Sequence, residues 1–336
     1  MSEKLFLSSV SRIAPFDRTP PGLVRRSRSQ WCAGDFVVVE LLETTRAQEV
    51  ELTNGRIAHA YSGARILGAL AERAATLESV GTWRAVGEDG ALNLMTPAGL
   101  VGLITSRSAL MLPAIPARYV AHATLGGDPV AMRDFVPEPS GVRLSSPVIL
   151  IIGTSMSSGK TVSGQRVVRL LKKRGLKVVG AKLTGAGRYR DVLSLADAGA
   201  DSIFDFVDGG IPSSICEVDE YRRALGVVFD LISAEKPDVV VAEAGASPLE
   251  PYNGMTAIEE LGDLIGFTVL AASDPYAVSG VMSAFGTRPD VVAGVATSTS
   301  AGIELIEKLT GVPAVNVLRS DDDAELDRML AAKLHL

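Results

Sequence analysis

No apolar run in this sequence approaches the length of a membrane span. The opening Met1-Ser2-Glu3-Lys4 leads into no signal-peptide pattern. Basic charge is not in excess: 33 Lys and Arg stand against 39 Asp and Glu, a net charge of −6. General affinity for nucleic acid is therefore not expected, and neither is a membrane partner. Cysteine is scarce. Cys32 and Cys216 lie far apart, with no C-x-x-C and no metal-ligand spacing. Free thiols in a reducing cytoplasm are the simplest inference. The three histidines, His59, His122 and His335, are scattered and read as surface or packing residues. With 336 residues, the chain is long enough for two domains with cores of their own.

One stretch stands out against these absences. Val148 to Ile152 is an apolar, strand-like run that stops at Gly153. Gly153-Thr154-Ser155-Met156-Ser157-Ser158-Gly159-Lys160-Thr161 then fits G-x-x-x-x-G-K-[ST], the phosphate-binding loop. Gly153 and Gly159 let the backbone turn so that successive N–H groups face one anion. A helix starting near Gly159 adds its positive end. Lys160 supplies a mobile charge for the outer phosphates, and the Thr161 hydroxyl is the expected Mg²⁺ ligand. Thr154, Ser157, Ser158 and Val162 complete the nucleotide-binding set. Gly164, Val167, Val168 and Leu171 share one helix face behind the loop, and Gly175 suits the stop.

Residues 1–145 do not alternate strand and helix. Asp35 to Leu42 is strand-like, and Val50 to Ile57 carries an Asn-Gly hairpin signal. Ile66 to Leu77 reads as a helix. Glu88-Asp89-Gly90 is a turn, and Gly99–Thr105 and Tyr119–Thr124 read as strands. The expectation is a small β-rich barrel or sandwich with one helix. Arg25, Arg26 and Arg28, mixed with serines, read as a solvated arm rather than a binding patch. Val136-Pro137-Glu138-Pro139-Ser140-Gly141 has the chemistry of a linker, placed at about 136–146.

From 146 to 336, short apolar runs alternate with amphipathic segments. Strands are expected at Val148–Ile152, Lys177–Leu183, Asp238–Ala244, Phe267–Ala272, Val291–Ala296 and Ala314–Leu318. Helical faces are marked by Tyr221, Leu225, Val228 and Ile232, and by Ile303, Ile306 and Leu309. The fold class expected is α/β: a parallel-sheet P-loop domain preceded by a smaller β-rich domain. Ligands in such sheets bind at the carboxyl ends of the strands. Lys182 ends one strand there, in a Gly-rich stretch that continues through Arg188 and Arg190 to Asp191. Glu243 ends another. A buried acid at a strand end needs a cation, so Glu243 reads as an Mg²⁺ ligand, direct or through water. Asp191 is a second metal candidate. Ser273 or Asp274 reads equally as a helix cap. No N-K-x-D guanine motif is present, so ATP is expected over GTP, with Asn316 as a base contact.

The pair GTSMSSGKT and VVVAEAGAS resembles the phosphate loop and acidic strand of the dethiobiotin synthetase family. Cobyrinic acid a,c-diamide synthase, cobyric acid synthase and the molybdopterin-guanine dinucleotide adaptors are its relatives. The resemblance covers about residues 146–320. It matches Lys160 and Thr161 to the loop, Lys182 to a second-strand Lys, and Glu243 and Gly245 to the acidic motif. It implies ATP- and Mg²⁺-dependent activation of a small carboxylate or carbamate, with Lys160, Lys182 and Glu243 catalytic and Arg188 and Arg190 clamping the substrate. Ser155 replaces the family's usual Asp, leaving its substrate contact open. No glutaminase domain follows, and the amino-terminal domain is foreign to the family. The alternatives are a nucleotide-gated adaptor acting on a protein partner, or an N-acyltransferase-type member of a related group whose loop reads TDCxxGK. A homodimer is compatible with either.

Overall fold

The computed structural model describes residues 5–42, 45–245, 247, 249–319 and 323–334. His335, Ala246 and the first four residues lie outside that set. The chain divides into two compact units. The first holds Met1–Pro139 together with Ala186–Arg190 and Phe206–Val227. The second holds Ser140–Gly185, Asp191–Asp205 and Val228–Leu336. The sequence expectation kept 146–336 in one piece, whereas two short stretches of it group with the first unit.

The first unit is built on strands β1 (Leu5–Leu7), β2 (Gly22–Val24), β3 (Phe36–Leu41), β4 (Gln48–Glu51), β5 (Ile57–Ala60), β6 (Arg65–Leu70), β7 (Glu72–Ala74), β8 (Ser79–Thr82), β9 (Ala91–Leu94), β10 (Leu100–Arg107), β11 (Pro116–Leu125) and β12 (Asp128–Pro129). Five of them close a barrel. The order β6-β3-β11-β9-β10 runs antiparallel, and β10 pairs back on β6 in parallel through Leu100–Ala69 and Val101–Leu70. Closure removes the open edges that a small sheet would otherwise expose. Val37, Val39, Leu41, Ile66, Leu70, Leu92, Leu94 and Val101 form the core with Trp31 and Trp83. The other face of β3 is also covered: Phe16 packs edge-on to Phe36 with centroids 5.2 Å apart. A strand buried on both faces loses its alternation.

The same effect explains a misreading. Ile66 to Leu77 is not a helix but β6 followed by β7. Ile66, Leu67, Ala69 and Leu70 are all buried, so the run carries no period of two. Among the described residues of 1–145 no α-helix occurs, only short 3-10 turns. The Asn54-Gly55 turn joins β4 to β5 as expected, with Gly55 at φ +83°.

In the second unit β13 (Val148–Gly153), β14 (Val178–Thr184), β15 (Ser202–Asp205), β16 (Val239–Ala244), β17 (Ile265–Ala271) and β18 (Val291–Ala293) form one sheet in the order β15-β14-β16-β13-β17-β18. Every pairing is parallel. The helices are α1 (Lys160–Lys173), α2 (Tyr189–Asp197), α3 (Val218–Glu235), α4 (Gly254–Leu261), α5 (Pro275–Phe285), α6 (Ser300–Thr310) and α7 (Asp323–Leu334), α2 and α3 beginning in the first unit. The predicted faces of α1 and α3 are buried, and in α6 Ile306 is buried while Leu309 is exposed. Two strand assignments change. Ala314–Leu318 makes only an isolated bridge, Val292 to Ala314, and β15 went unread because Ser202-Ile203-Phe204-Asp205 has just two apolar residues. Among the described residues no helix is long and apolar enough to cross a membrane.

Local chemistry explains why Ala186–Arg190 groups with the barrel. Glu51, fully buried on β4, accepts hydrogen bonds from Tyr189 N at 2.8 Å and Arg190 N at 2.9 Å, and also from the Ser9 hydroxyl. A buried carboxylate at a helix start is stabilised by unpaired N–H groups and the helix dipole. Arg12 stacks 4.3 Å from the Tyr189 ring and pairs with Asp208 at 3.0 Å. A fragment beginning at residue 146 would lack the barrel against which Phe206, Val207, Ile211 and Tyr221 are grouped and buried. Expressed alone, it is expected to aggregate or bind a hydrophobic dye. A monodisperse, dye-silent fragment on size-exclusion chromatography would disprove this division of the chain.

Candidate functional site

The site is assembled at the carboxyl edge of the parallel sheet. β13 ends at Gly153, and the loop runs into α1 at Lys160. Gly153 is required by close approach: a Cβ there would lie 2.6 Å from Ser158 Oγ and 2.8 Å from Lys160 Nζ. Ser157 at φ +57° and Gly159 at φ +103° turn the backbone into a concave nest. Gly159 caps α1 without any side-chain hydrogen bond, so the first N–H groups keep their anion-binding capacity. Lys160 folds back over the loop and donates to Ser155 O at 2.8 Å. Ser158 Oγ is buried with no hydrogen-bond partner, and the backbone of Ser158 is fixed by Val295 N at 3.1 Å. Thr154 Oγ1 accepts from Ser273 N at 3.0 Å, and the Ser273 hydroxyl lies 3.1 Å from it. Asp274 caps α5 by accepting from Tyr276 N at 2.8 Å, the capping role read as one option in the sequence.

Sheet register builds the charged centre. Lys182 on β14 stands opposite Glu243 on β16 and opposite Asp205 on β15. All three are buried. Glu243 is also in register with Ile151 on β13, next to the phosphate loop. Thr161 Oγ1 donates to Glu243 Oε2 at 3.4 Å, and Lys182 Nζ donates to Asp191 Oδ2 at 2.5 Å. A lone buried ammonium would lose its proton readily. Burial does pull Lys182 down, but the charges of Asp191 and Glu243 outweigh it, and its pKa rises above the usual lysine value. For Lys160 burial wins, and its pKa falls despite the attraction of Glu243. Burial raises Glu243 against the pull of Lys182 and Lys160.

The structure thus brings together Lys160, Thr161, Lys182, Asp191 and Glu243. Thr161 and Glu243 lie side by side, as two protein ligands of a mostly hydrated Mg²⁺ require. Asp191 is engaged by Lys182. Val162 is half exposed on the first turn of α1. Asn316 is buried; its amide donates to Ser298 O at 3.1 Å and accepts from Leu318 N at 3.0 Å, so it holds a turn. Arg188 and Arg190 lie in the first unit. Two acids escaped the sequence reading. Asp205 closes a strand too polar to be recognised. Glu250 follows β16 in a loop; its Oε2 is buried without a partner, and burial raises its pKa against the pull of Lys160. Its only sequence signal was an acid seven residues beyond Glu243, which is weak.

Strand, loop and helix geometry with an adjacent acidic strand in an all-parallel sheet defines a P-loop NTPase fold. No family model matches the chain, and no curated protein matches it. Solved structures overlap it in part. Chloroplast FtsY from Physcomitrella patens is 14% identical, with a TM-score of 0.37, over 53% of this chain and 59% of that one. A DUF1611 family protein from Anabaena variabilis is 18% identical, with a TM-score of 0.38, over 60% and 63%. The hydrogenase maturation factor HypB from Archaeoglobus fulgidus is 16% identical, with a TM-score of 0.37, over 56% and 90%. The chain thus covers less than two thirds of the FtsY and DUF1611 chains. Overlaps this partial identify no activity.

Lys182→Met keeps the stem and deletes the charge that neutralises three carboxylates. Removing one partner of a buried ionic cluster costs about 3–5 kcal/mol. Glu243 already has a folded pKa above its ordinary 4.5, and the variant raises it further. Its penalty is absent below pH 4.5 and grows as pH rises through the folded value. Urea denaturation should therefore show a loss at pH 8 that shrinks towards pH 5. A pH-independent loss would mean that the effect is one of packing.

Proposed function

We propose that the protein is an ATP- and Mg²⁺-dependent enzyme that activates a carboxylate or carbamate of a small molecule by phosphoryl transfer. The observation that carries this reading is Lys182. It is a second buried cation, beyond the loop Lys160, kept protonated by Asp205, Glu243 and Asp191 at the edge where the phosphates would lie. Simple nucleotide binding is served by the loop, Lys160 and the α1 N-terminus. A further fixed ammonium is suited to charge that develops during transfer. The kinship to dethiobiotin synthetase suggested by GTSMSSGKT and VVVAEAGAS points the same way.

In this reading the loop N–H groups and Lys160 hold the β- and γ-phosphates. Thr161 and Glu243 would hold Mg²⁺, which supplies charge neutralisation on the phosphate oxygens. The acceptor's anionic oxygen attacks the γ-phosphorus. The bond from γ-phosphorus to the ADP oxygen breaks, and ADP leaves with the electron pair. Lys182 stabilises the phosphoryl group in flight. A nucleophile then attacks the acyl carbon and expels inorganic phosphate.

The direct test measures ADP release against a library of carboxylates and amines. A strong rise with one acceptor class is expected. Stimulation only by a protein partner would instead make the molecule a nucleotide-gated adaptor. Lys160→Ala should lower kcat by about 10²–10³-fold with the fold intact. Glu243→Gln should weaken Mg²⁺-nucleotide binding more than binding of the metal-free nucleotide, because it keeps size and removes charge. Equal losses with and without Mg²⁺ would make Glu243 structural.

A further inference from the structure

We propose that the barrel unit carries a second, independent site for a small oxyanion, in the cleft formed by Arg25, Arg26 and Arg28. The arginines are not a solvated arm. Gly22–Val24 is strand β2, paired antiparallel with β11, and the chain runs from it directly into the arginines. The cleft encloses about 180 Å³ and is lined by the arginines, Trp31, Tyr119 and the Gly87–Gly90 turn.

The three arginines differ in what holds them. Arg28 is structural. Its guanidinium donates to Val86 O at 2.9 Å, Trp83 O at 3.0 Å and Arg84 O at 3.1 Å. It also stacks between Trp31 and Trp83, 5.0 and 4.8 Å from the ring centroids. Arg25 is exposed, and among the described residues only its Nε has an acceptor, Val120 O at 3.2 Å. The Arg26 guanidinium faces Asp35 at 3.7 Å, beyond hydrogen-bond reach, while its backbone N–H donates to Tyr119 Oη at 3.1 Å. Among the described residues, Arg25 therefore keeps its Nη donors unused, and Arg26, ion-paired with Asp35, donates no side-chain hydrogen bond. Bidentate capture of a carboxylate or phosphate is the chemistry of the guanidinium fork.

The floor is rigid. Tyr119 Oη lies 2.6 Å from His122 Nδ1, and His122 Nε2 lies 3.2 Å from Asp35 Oδ2. Asp35 also accepts from Cys32 N at 2.8 Å. Tyr119, His122 and Asp35 are all buried, and Trp31 packs 4.4 Å from Tyr119 between ring centroids. The polar network thus fixes the backbone from which Arg26 projects, so little ordering cost remains for a ligand. Of the two acids at the rim, Asp89 accepts from Ala91 N and is folded into its own turn. Glu88 is exposed at the rim.

The chain's two tryptophans, Trp31 and Trp83, both flank Arg28, so intrinsic fluorescence reads this cleft. The full chain carrying Lys160→Ala, which weakens the loop, is titrated with inorganic phosphate and with acetate at constant ionic strength in chloride. Fluorescence and isothermal calorimetry are read together. One probe is expected to saturate, and Arg25→Ala in the same background to weaken it at least tenfold, with Arg25→Lys intermediate. Arg25 is exposed, so the variant should keep its fold, checked by circular dichroism. Preference for phosphate identifies a phosphorylated ligand, and preference for acetate a carboxylate; both support the site. Absence of saturation with either probe, or an affinity unchanged by Arg25→Ala, overturns it. Neither result bears on phosphoryl transfer in the other unit.

Discussion

The candidate site depends on one buried cation. Lys182 occupies a rung of the parallel sheet between Asp205 and Glu243, with Asp191 reaching its ammonium from α2. Three acids and one cation, three of the four groups buried and Asp191 half-buried, are tolerable only as a set. Each carboxylate lowers the cost of the ammonium, and the ammonium lowers the cost of each carboxylate. The set leaves an excess of negative charge at the sheet edge. Lys160 from the phosphate loop offsets part of it, and a divalent cation beside Thr161 and Glu243 would offset the rest. The electrostatics of this edge suit the metal-nucleotide of the proposed function.

The phosphate loop is shaped by the same edge. It is pinned from behind by Val295 N on Ser158 O and from the side by the Thr154–Ser273 pair. These contacts come from the ends of β17 and β18, so the neighbouring strands fix a loop that its own residues leave free. Lys160 donates to Ser155 O. Phosphate oxygens are stronger acceptors than a carbonyl, because a charged acceptor roughly doubles the bond.

The barrel unit solves a different problem. A short sheet of small strands has exposed edges and little core. Closure through the parallel β6–β10 pair removes the edges, and aromatic packing of Phe16 on Phe36 covers the outer face. Its fully buried Glu51 is satisfied by a hydroxyl and two backbone N–H groups. Arg25 and Arg26 are the contrast, cations held at a surface with donors to spare.

By itself the sequence determined the phosphate loop, the strand before it and the helix behind it, because those residues act through local backbone geometry. Gly153, Gly159 and the face Gly164, Val167, Val168 and Leu171 needed no distant partner to be read. It also determined the α/β class of the second unit, since apolar strands covered on both faces leave a period that helices interrupt. The tertiary structure decided what local pattern does not encode. It turned Ile66–Leu77 into strands, because a segment buried on both sides carries no alternation. It set Asp205 beside Lys182, because register across a parallel sheet joins residues far apart in the chain. It grouped Ala186–Arg190 with the barrel unit through a carboxylate 138 positions upstream of Tyr189, and Phe206–Val227 through the Arg12–Asp208 pair. It made a cleft of three arginines that looked like a solvated arm, because only the fold shows which guanidinium already has its acceptors.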